Sequence, residues 1–279
     1  MINPIRTLTA GPGLEARYLI LGDRQGDRLP LVYLGGAFQT CENVERTLRQ
    51  IYAHRQVVII EMPGFGDTPV VPRSVPTATI AASVGLVVEH LDIGRFDLIG
   101  CSYGGLFALD VAARFPDSVR RVILAGTSPF PAPTERGLHL CLNLLEHGEY
   151  QSFAELFAQL AITLPNPTKR KLLRQRLLVS LAERPESVYE RFRENTQRLL
   201  LMKSIPPFTH HPTLLLDGEA DTFTDPGWML KQARLNDNLS VDLLPGCDHF
   251  FHIEDKAATA RAIGDYLDCD LSQPERRLA

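Results

Sequence analysis

A serine set between glycines is the first place where this chain could do chemistry. Gly100-Cys101-Ser102-Tyr103-Gly104 spells G-x-S-x-G. At average glycine and serine usage, roughly one chain in ten of this length carries such a pattern by chance, so its surroundings matter more than its letters. It stands between an apolar run, Phe96 to Ile99, and an amphipathic segment, Tyr103 to Phe115. A sharp strand-to-helix turn at that point needs small flanking residues, because the backbone passes close to its neighbours. The turn lifts the hydroxyl out at the positive end of the helix dipole. Gly105 extends the small-residue run and lets helix and strand pack tightly.

A serine hydroxyl attacks a carbonyl only when a base takes its proton, and the base needs an orienting carboxylate. After such a turn the order along the chain is acid, then histidine. Asp217-Gly218-Glu219-Ala220-Asp221 follows the apolar run Thr213 to Leu216, and Pro245-Gly246-Cys247-Asp248-His249 follows Leu239 to Leu244. Both lie just past the carboxyl ends of expected parallel strands, where ligands of open α/β sheets collect. Asp221 is the expected acid and His249 the expected base. Asp217 and Asp225 compete for the acid role, Asp217 from inside a strand end and Asp225 from a helix cap. Asp248 adjoins the histidine and is expected to point elsewhere.

Of eight histidines, His249 alone follows a glycine turn after a late strand. His252 stands three residues on, but no third ligand has a recognisable spacing, so neither metal nor cofactor is expected. His210 and His211 are read as solvated, His139 and His147 as members of a helix. His54 and His90 close helices, where a cation suits the dipole. An oxyanion would need two N–H donors. Tyr103, next after the serine, supplies one. The loop Gly35-Gly36-Ala37-Phe38 supplies the other, with Ala37 preferred and Phe38 second.

These loops need a frame. Strands are expected at Leu14 to Leu21, Pro30 to Leu34, Val57 to Ile60, Phe96 to Ile99 and Val119 to Leu124, with helices at Asn43 to Ala53, Thr77 to Leu91 and Tyr103 to Phe115. Their alternation predicts a mostly parallel sheet with helices on both faces. From 129 to 210 strand signals vanish and leucine-rich helical periodicity takes over. Ser152 and Glu155 have capping-box spacing, and Asn166-Pro167 reads as a cap with proline in the first turn. Strands return at Thr213 to Leu216 and Leu239 to Leu244. Helices are expected from Asp225 to Leu235 and from Asp255 to Leu267, and the residues after Leu271 read as a loose tail. The expected organisation is an α/β core, 1–128 and 211–279, interrupted by a helical lid, 129–210.

Composition narrows the function classes. The 279 residues are 44% hydrophobic and 22% charged, with 29 Lys plus Arg against 33 Asp plus Glu. A net charge of −4 disfavours a nucleic-acid binder, and no apolar stretch is long enough to span a bilayer. Five scattered cysteines fit no zinc or disulfide framework, and the start lacks the order of a signal peptide. A cytoplasmic location is therefore expected. Residues 129–210 hold 11 Lys plus Arg against 8 acids, a net of +3, while the remainder carries −7. Within that segment Lys169, Arg170, Lys171, Arg174 and Arg176 form either a solvated face or a dock for an acidic acyl-carrier protein.

At this point the chain resembles the α/β-hydrolases. The Gly-Gly loop, Pro63-Gly64-Phe65-Gly66, the serine turn, Gly218-Glu219-Ala220-Asp221 and Gly246-Cys247-Asp248-His249 fall in the family's order. The resemblance implies the α/β-hydrolase fold, with an eight-stranded sheet, a lid inserted after the sixth strand, and a Ser102–His249–Asp221 triad. Gly35-Gly36 departs from the family's usual His-Gly. Gly35-Gly36-Ala37, Asp221-Thr222-Phe223-Thr224 and His249 to Lys256 are also similar to the bacterial branch acting on 3-hydroxyacyl chains. That branch includes 3-hydroxyacyl-ACP thioesterases and the 3-(3-hydroxyalkanoyloxy)alkanoate synthase. Tyr103 departs from the tryptophan usual there. The expected activity is hydrolysis of a small-molecule acyl ester or thioester through an acyl-enzyme. The alternative is acyl transfer from an acyl-carrier protein or CoA to a hydroxyl or thiol; of Leu138, Leu140, Leu142, Leu144, Leu145, Leu156, Phe157, Leu160 and Leu164, most are expected to be lid core and the surplus to line an acyl pocket. A non-catalytic or repurposed member of the fold is the third reading. The dehalogenases and most epoxide hydrolases of this fold carry aspartate at the turn.

Overall fold

The computed structural model describes residues 4–24, 26–202 and 204–269; the expected loose tail lies outside them. An antiparallel pair, β1 (Arg6–Gly11) and β2 (Leu14–Leu21), opens the chain, followed by β3 (Leu31–Leu34), α1 (Cys41–Tyr52) and β4 (Val57–Glu61). Next come α2 (Thr77–His90), β5 (Phe96–Cys101), α3 (Tyr103–Arg114) and β6 (Val119–Ala125). Four helices then run without a strand: α4 (Ala132–Glu146), α5 (Tyr150–Ala161), α6 (Pro167–Ala182) and α7 (Glu186–Leu200). The alternation resumes with β7 (Thr213–Gly218), α8 (Pro226–Leu235), β8 (Leu239–Leu244), α9 (Phe251–Glu254) and α10 (Lys256–Asp268).

The eight strands form one sheet in the order β1-β2-β4-β3-β5-β6-β7-β8, parallel from β4 to β8. The run Val57-Val58-Ile59-Ile60 shows why its middle reads as continuous apolar sequence. Val58 and Ile60 pack into the core that α2 and α3 cover, while Val57 and Ile59 pack into the core beneath α1 and α10. Strands covered on both faces have no polar side to alternate with. The edge strand β1 was not expected, because it is short and largely exposed, with no apolar periodicity.

Local chemistry sets the helix ends. α1 begins two residues before the expected Asn43. Thr40 Oγ1 accepts the Asn43 N–H at 3.3 Å, and Asn43 Oδ1 accepts the Thr40 N–H at 3.0 Å, a reciprocal cap. Asn166 caps α6 as expected, accepting from the Thr168 and Lys169 N–H groups. The capping-box reading of Ser152 is corrected: Ser152 lies inside α5, whose first residue is Tyr150. Helical propensity on either side carries α5 through it. The solvated reading of His211 is also corrected. Its ring is buried, with Nδ1 2.6 Å from Thr209 Oγ1 and Nε2 3.0 Å from the Pro116 carbonyl.

Candidate active site

Parallel strands put their carboxyl ends on one edge, and that edge gathers the loops after β3, β5, β7 and β8. Ser102 follows β5 directly, with φ 50° and ψ −117°, a conformation L-residues rarely adopt. Its N–H donates to the Ala125 carbonyl at 2.7 Å, and its own carbonyl accepts from Gly105 N–H and from Thr127 Oγ1. The glycines around it are obligatory. A Cβ at Gly104 would meet the Leu34 and Gly35 carbonyls at 2.5 and 2.6 Å, and one at Gly105 would meet Thr127 Oγ1 at 2.1 Å.

His249 reaches Ser102 across 147 residues of chain, with Nε2 3.2 Å from Oγ. Its Nδ1–H donates to Asp221 Oδ2 at 2.8 Å, and the Phe223 ring centroid lies 4.6 Å from the imidazole. Asp248, beside the histidine, points away. It accepts the Thr163 and Leu164 N–H groups with Oδ2 and the Phe250 N–H with Oδ1, fastening the histidine loop to the segment after α5. Of the competing acids, Asp225 caps α8 through the Trp228 N–H, and Asp217 is buried at the end of β7.

Asp217 and Asp221 are linked through Thr224, whose Oγ1 lies 2.6 Å from Asp217 Oδ2 and 2.5 Å from Asp221 Oδ2. A hydroxyl has one hydrogen, so one carboxyl must supply the other. Burial, and then the charge of Asp221, push the Asp217 carboxyl far above the usual range. Asp217 therefore keeps its proton and donates to Thr224, which donates to Asp221. Burial opposes charge on Asp221 as well, but His249 and the hydrogen bonds it receives outweigh that and bring it to about 2. Asp217, Asp221 and His249 bring ligand-type atoms within 4.8 Å of one another. Every carboxyl oxygen there already has a hydrogen-bond partner, so the group is satisfied as a relay without an ion. His252 turns to Gln39 rather than to His249.

Beside Ser102, Gly36 runs so close to the turn that a Cβ there would meet the Cys101 carbonyl at 2.9 Å and Ser102 Cβ at 3.1 Å. Ala37 and Tyr103 line one cavity with Ser102 and His249. Tyr103 is the first residue of α3, so its N–H has no partner within the helix. Phe38 is held at φ 62°. Its ring stacks on Phe192 at 5.0 Å and meets Phe157 edge-on at 5.4 Å, which offsets the backbone strain. The cavity measures about 250 Å³ and extends past Gln39, Asn43 and Thr47 to Leu177 and Ser180 of α6. Of the apolar positions from Leu138 to Leu164, Phe157 is the one that lines it; Leu138, Leu142, Leu145 and Leu164 are buried, as expected of lid core, and Leu140 is 59% exposed. Sequence reasoning gave no role to Thr224, quoted only as part of Asp221-Thr222-Phe223-Thr224, and missed Gln39, which stands in no motif. The Tyr103 hydroxyl pairs with Thr196 Oγ1 of α7 at 2.9 Å, joining the turn to the inserted helices.

A family model described as the alpha/beta hydrolase fold matches residues 30–200. The chain belongs to the α/β-hydrolase family. Among its relatives is a 2-hydroxymuconate semialdehyde hydrolase from Pseudomonas sp. strain CF600, 27% identical over 260 residues, with 87% of this chain and 88% of that one covered. The sn-1-specific diacylglycerol lipase ABHD11 of Danio rerio is 23% identical, covering 83% and 76%. The α/β hydrolase enzyme MGS-M2 from a Medee basin deep-sea metagenome shares the fold, with a TM-score of 0.83 at 16% identity over 97% of this chain and all of that one. Relatives of this hydrolase family thus support a hydrolytic function. No helix among the described residues is long and apolar enough to cross a membrane.

Proposed function

We propose that the protein is a serine hydrolase that cleaves a carboxylic ester or thioester through an acyl-enzyme. The row of hydrogen bonds from Ser102 Oγ through His249 to Asp221 Oδ2 carries this reading. Ser102 Oγ attacks the carbonyl carbon as its proton passes to His249 Nε2. Asp221 stabilises the resulting imidazolium and holds its Nδ1–H. The Ala37 and Tyr103 N–H groups receive the oxyanion. His249 then protonates the departing alcohol or thiol. It next takes a proton from water, which attacks the acyl-enzyme and frees the acid and Ser102.

The four helices α4 to α7 act as a lid, since Phe157, Leu177 and Ser180 close one side of the cavity. A volume of about 250 Å³ falls below the usual range of about 300–1,000 Å³ for ligand pockets, which favours a short acyl group or a ring. The substrate branch acting on 3-hydroxyacyl chains remains part of this reading, through the residues that resemble it. An acyl-carrier dock on α6 is weakened, because Arg170 and Arg174 already hold the carbonyls of Leu164, Ile162 and Gln159. Lys169, Lys171 and Arg176 are left exposed on that helix. Transfer to a hydroxyl acceptor would use the same acyl-enzyme, and product analysis with an added alcohol separates it from hydrolysis.

Ser102→Ala should cut turnover of a p-nitrophenyl ester or an acyl thioester at least about a thousandfold while the melting temperature holds. A fluorophosphonate should label the parent and not the variant. Retained turnover in the variant would sink the proposal.

A further inference from the structure

One side chain bonds the backbone of the loop beside Ser102 and reaches three side chains around it. Gln39 Oε1 accepts the Gly36 N–H at 2.8 Å and the Tyr33 hydroxyl at 3.0 Å. With Oε1 assigned by those two donors, the other end of the amide must be NH₂. That end lies 3.6 Å from Cys101 Sγ, in the residue preceding Ser102, and 3.4 Å from His252 Nε2. Gln39 thereby ties the loop after β3 to the end of β5 and to α9. The backbone of Gln39 acts too, its N–H donating to the Gly36 carbonyl at 3.3 Å and closing a turn across Ala37 and Phe38.

We infer that Gln39 is a positioning residue that aims the Ala37 N–H at the oxyanion. In a trans peptide the C=O and the following N–H lie in one plane and point in opposite directions. The Gly36 carbonyl is drawn to the Gln39 N–H, so the Ala37 N–H in the same plane turns the other way. The Gly36 N–H is taken up by Gln39 Oε1 and is not free for the oxyanion, which leaves the two donors read from the sequence, Ala37 first and Phe38 second. The strained φ at Phe38 is what this turn requires of its third residue. His252 completes the clamp. Facing an NH₂ donor, its Nε2 must be the acceptor, so the ring is neutral there; burial, then the neighbouring His249 and Lys256, push its pKa to about 3. A neutral ring adds no competing cation beside His249.

This inference rests on the serine-hydrolase reading, and the test separates the two. Gln39→Met keeps the side chain's length and removes its hydrogen bonds; Gln39→Ala removes both. Each is assayed on p-nitrophenyl butyrate, beside Ser102→Ala and the parent. A trifluoromethyl ketone of the same acyl length serves as the oxyanion mimic. Both Gln39 variants should lose kcat about 10- to 100-fold, less than the roughly 100- to 1,000-fold for outright loss of a donor, with KM within about threefold. Affinity for the trifluoromethyl ketone should fall by the same factor as kcat/KM, and the melting temperature of Gln39→Met should stay close to the parent's. A kcat within twofold of the parent in Gln39→Met would overturn the inference. So would a loss shared equally by kcat, KM and melting temperature. An inactive Ser102→Ala beside a fully active Gln39→Met would leave the hydrolase reading standing and remove only this one.

Discussion

At the residue scale, the two aspartates at the end of β7 are chemically opposite despite lying one hydroxyl apart. Asp221 is charged because it receives the His249 Nδ1–H, the Phe223 and Thr224 N–H groups and the Thr224 hydroxyl. Asp217 is protonated because it is buried beside that charge. Under the proposed mechanism Asp221→Asn should lower kcat by about 10³- to 10⁴-fold, since the amide no longer holds the imidazole in the required tautomer. Asp217→Asn should keep most of the turnover, because an amide NH₂ can donate to Thr224 as the acid proton does. Their pH effects have opposite signs. The carboxyl of Asp217 has a folded value above its unfolded value of about 3.9, so its stabilisation is complete below that pH and is lost as pH rises through the folded value. Asp221 contributes stability above about pH 3.9 that is lost as pH falls toward about 2. Urea midpoints at pH 4.5 and pH 8 should therefore show Asp217→Asn gaining on the parent as pH rises. A constant difference would count against a protonated Asp217.

At the element scale, the serine turn works because β3, β5 and α3 touch backbone to backbone. Gly104 lies against the carbonyls of Leu34 and Gly35, which lead into the loop carrying Ala37. Gly104→Ala must push β3 away from α3. It should destabilise the protein by about 1–3 kcal/mol and, under the proposed mechanism, lower kcat as well, because the displaced strand carries the Ala37 loop with it. Thermal melts and kcat on the same preparation check both effects; an unchanged kcat would mean that the loop keeps its place independently of β3. The elements differ in how openly the sequence announces them. β4 and β5 are visible as apolar runs, and α6 by its Asn166-Pro167 start. β1 was missed because an exposed edge strand carries no periodicity, and Ser152 misled because a capping pattern inside a helix has the same letters as one at its start.

At the scale of the whole molecule, the inserted helices are anchored mainly through α7. Arg198 donates to the carbonyls of Val71, Pro72 and Val75, and to Asn195 Oδ1. Asn195 Nδ2 reaches the Gly64 carbonyl at 2.7 Å and Arg191 the Thr68 carbonyl at 3.0 Å. Burial brings the Arg198 guanidinium down to about 10, yet it stays charged and bonded to carbonyl oxygens. α6, by contrast, buries only Leu181. Arg198→Met should cost at least about 2 kcal/mol in urea unfolding, since it leaves buried carbonyls without donors. Hydrogen exchange should rise first in α7 and in residues 62–76. Uniform exchange across the protein would argue against this anchoring.

The sequence by itself determined the order of the parts. The apolar runs, the small residues around Ser102, and the acid and histidine after late strands are local patterns, and local sterics and burial are enough to write them. Tertiary structure alone decided that Asp248 fastens to the segment after α5, that His211 is buried, that Phe157 rather than its leucine neighbours lines the cavity, and that Gln39 grips the loop at Gly36. Each of those outcomes depends on hydrogen bonds or packing between residues far apart in the chain, such as Gln39 with His252 across 213 positions. A partner at that separation leaves no trace in the spacing of either residue's neighbours.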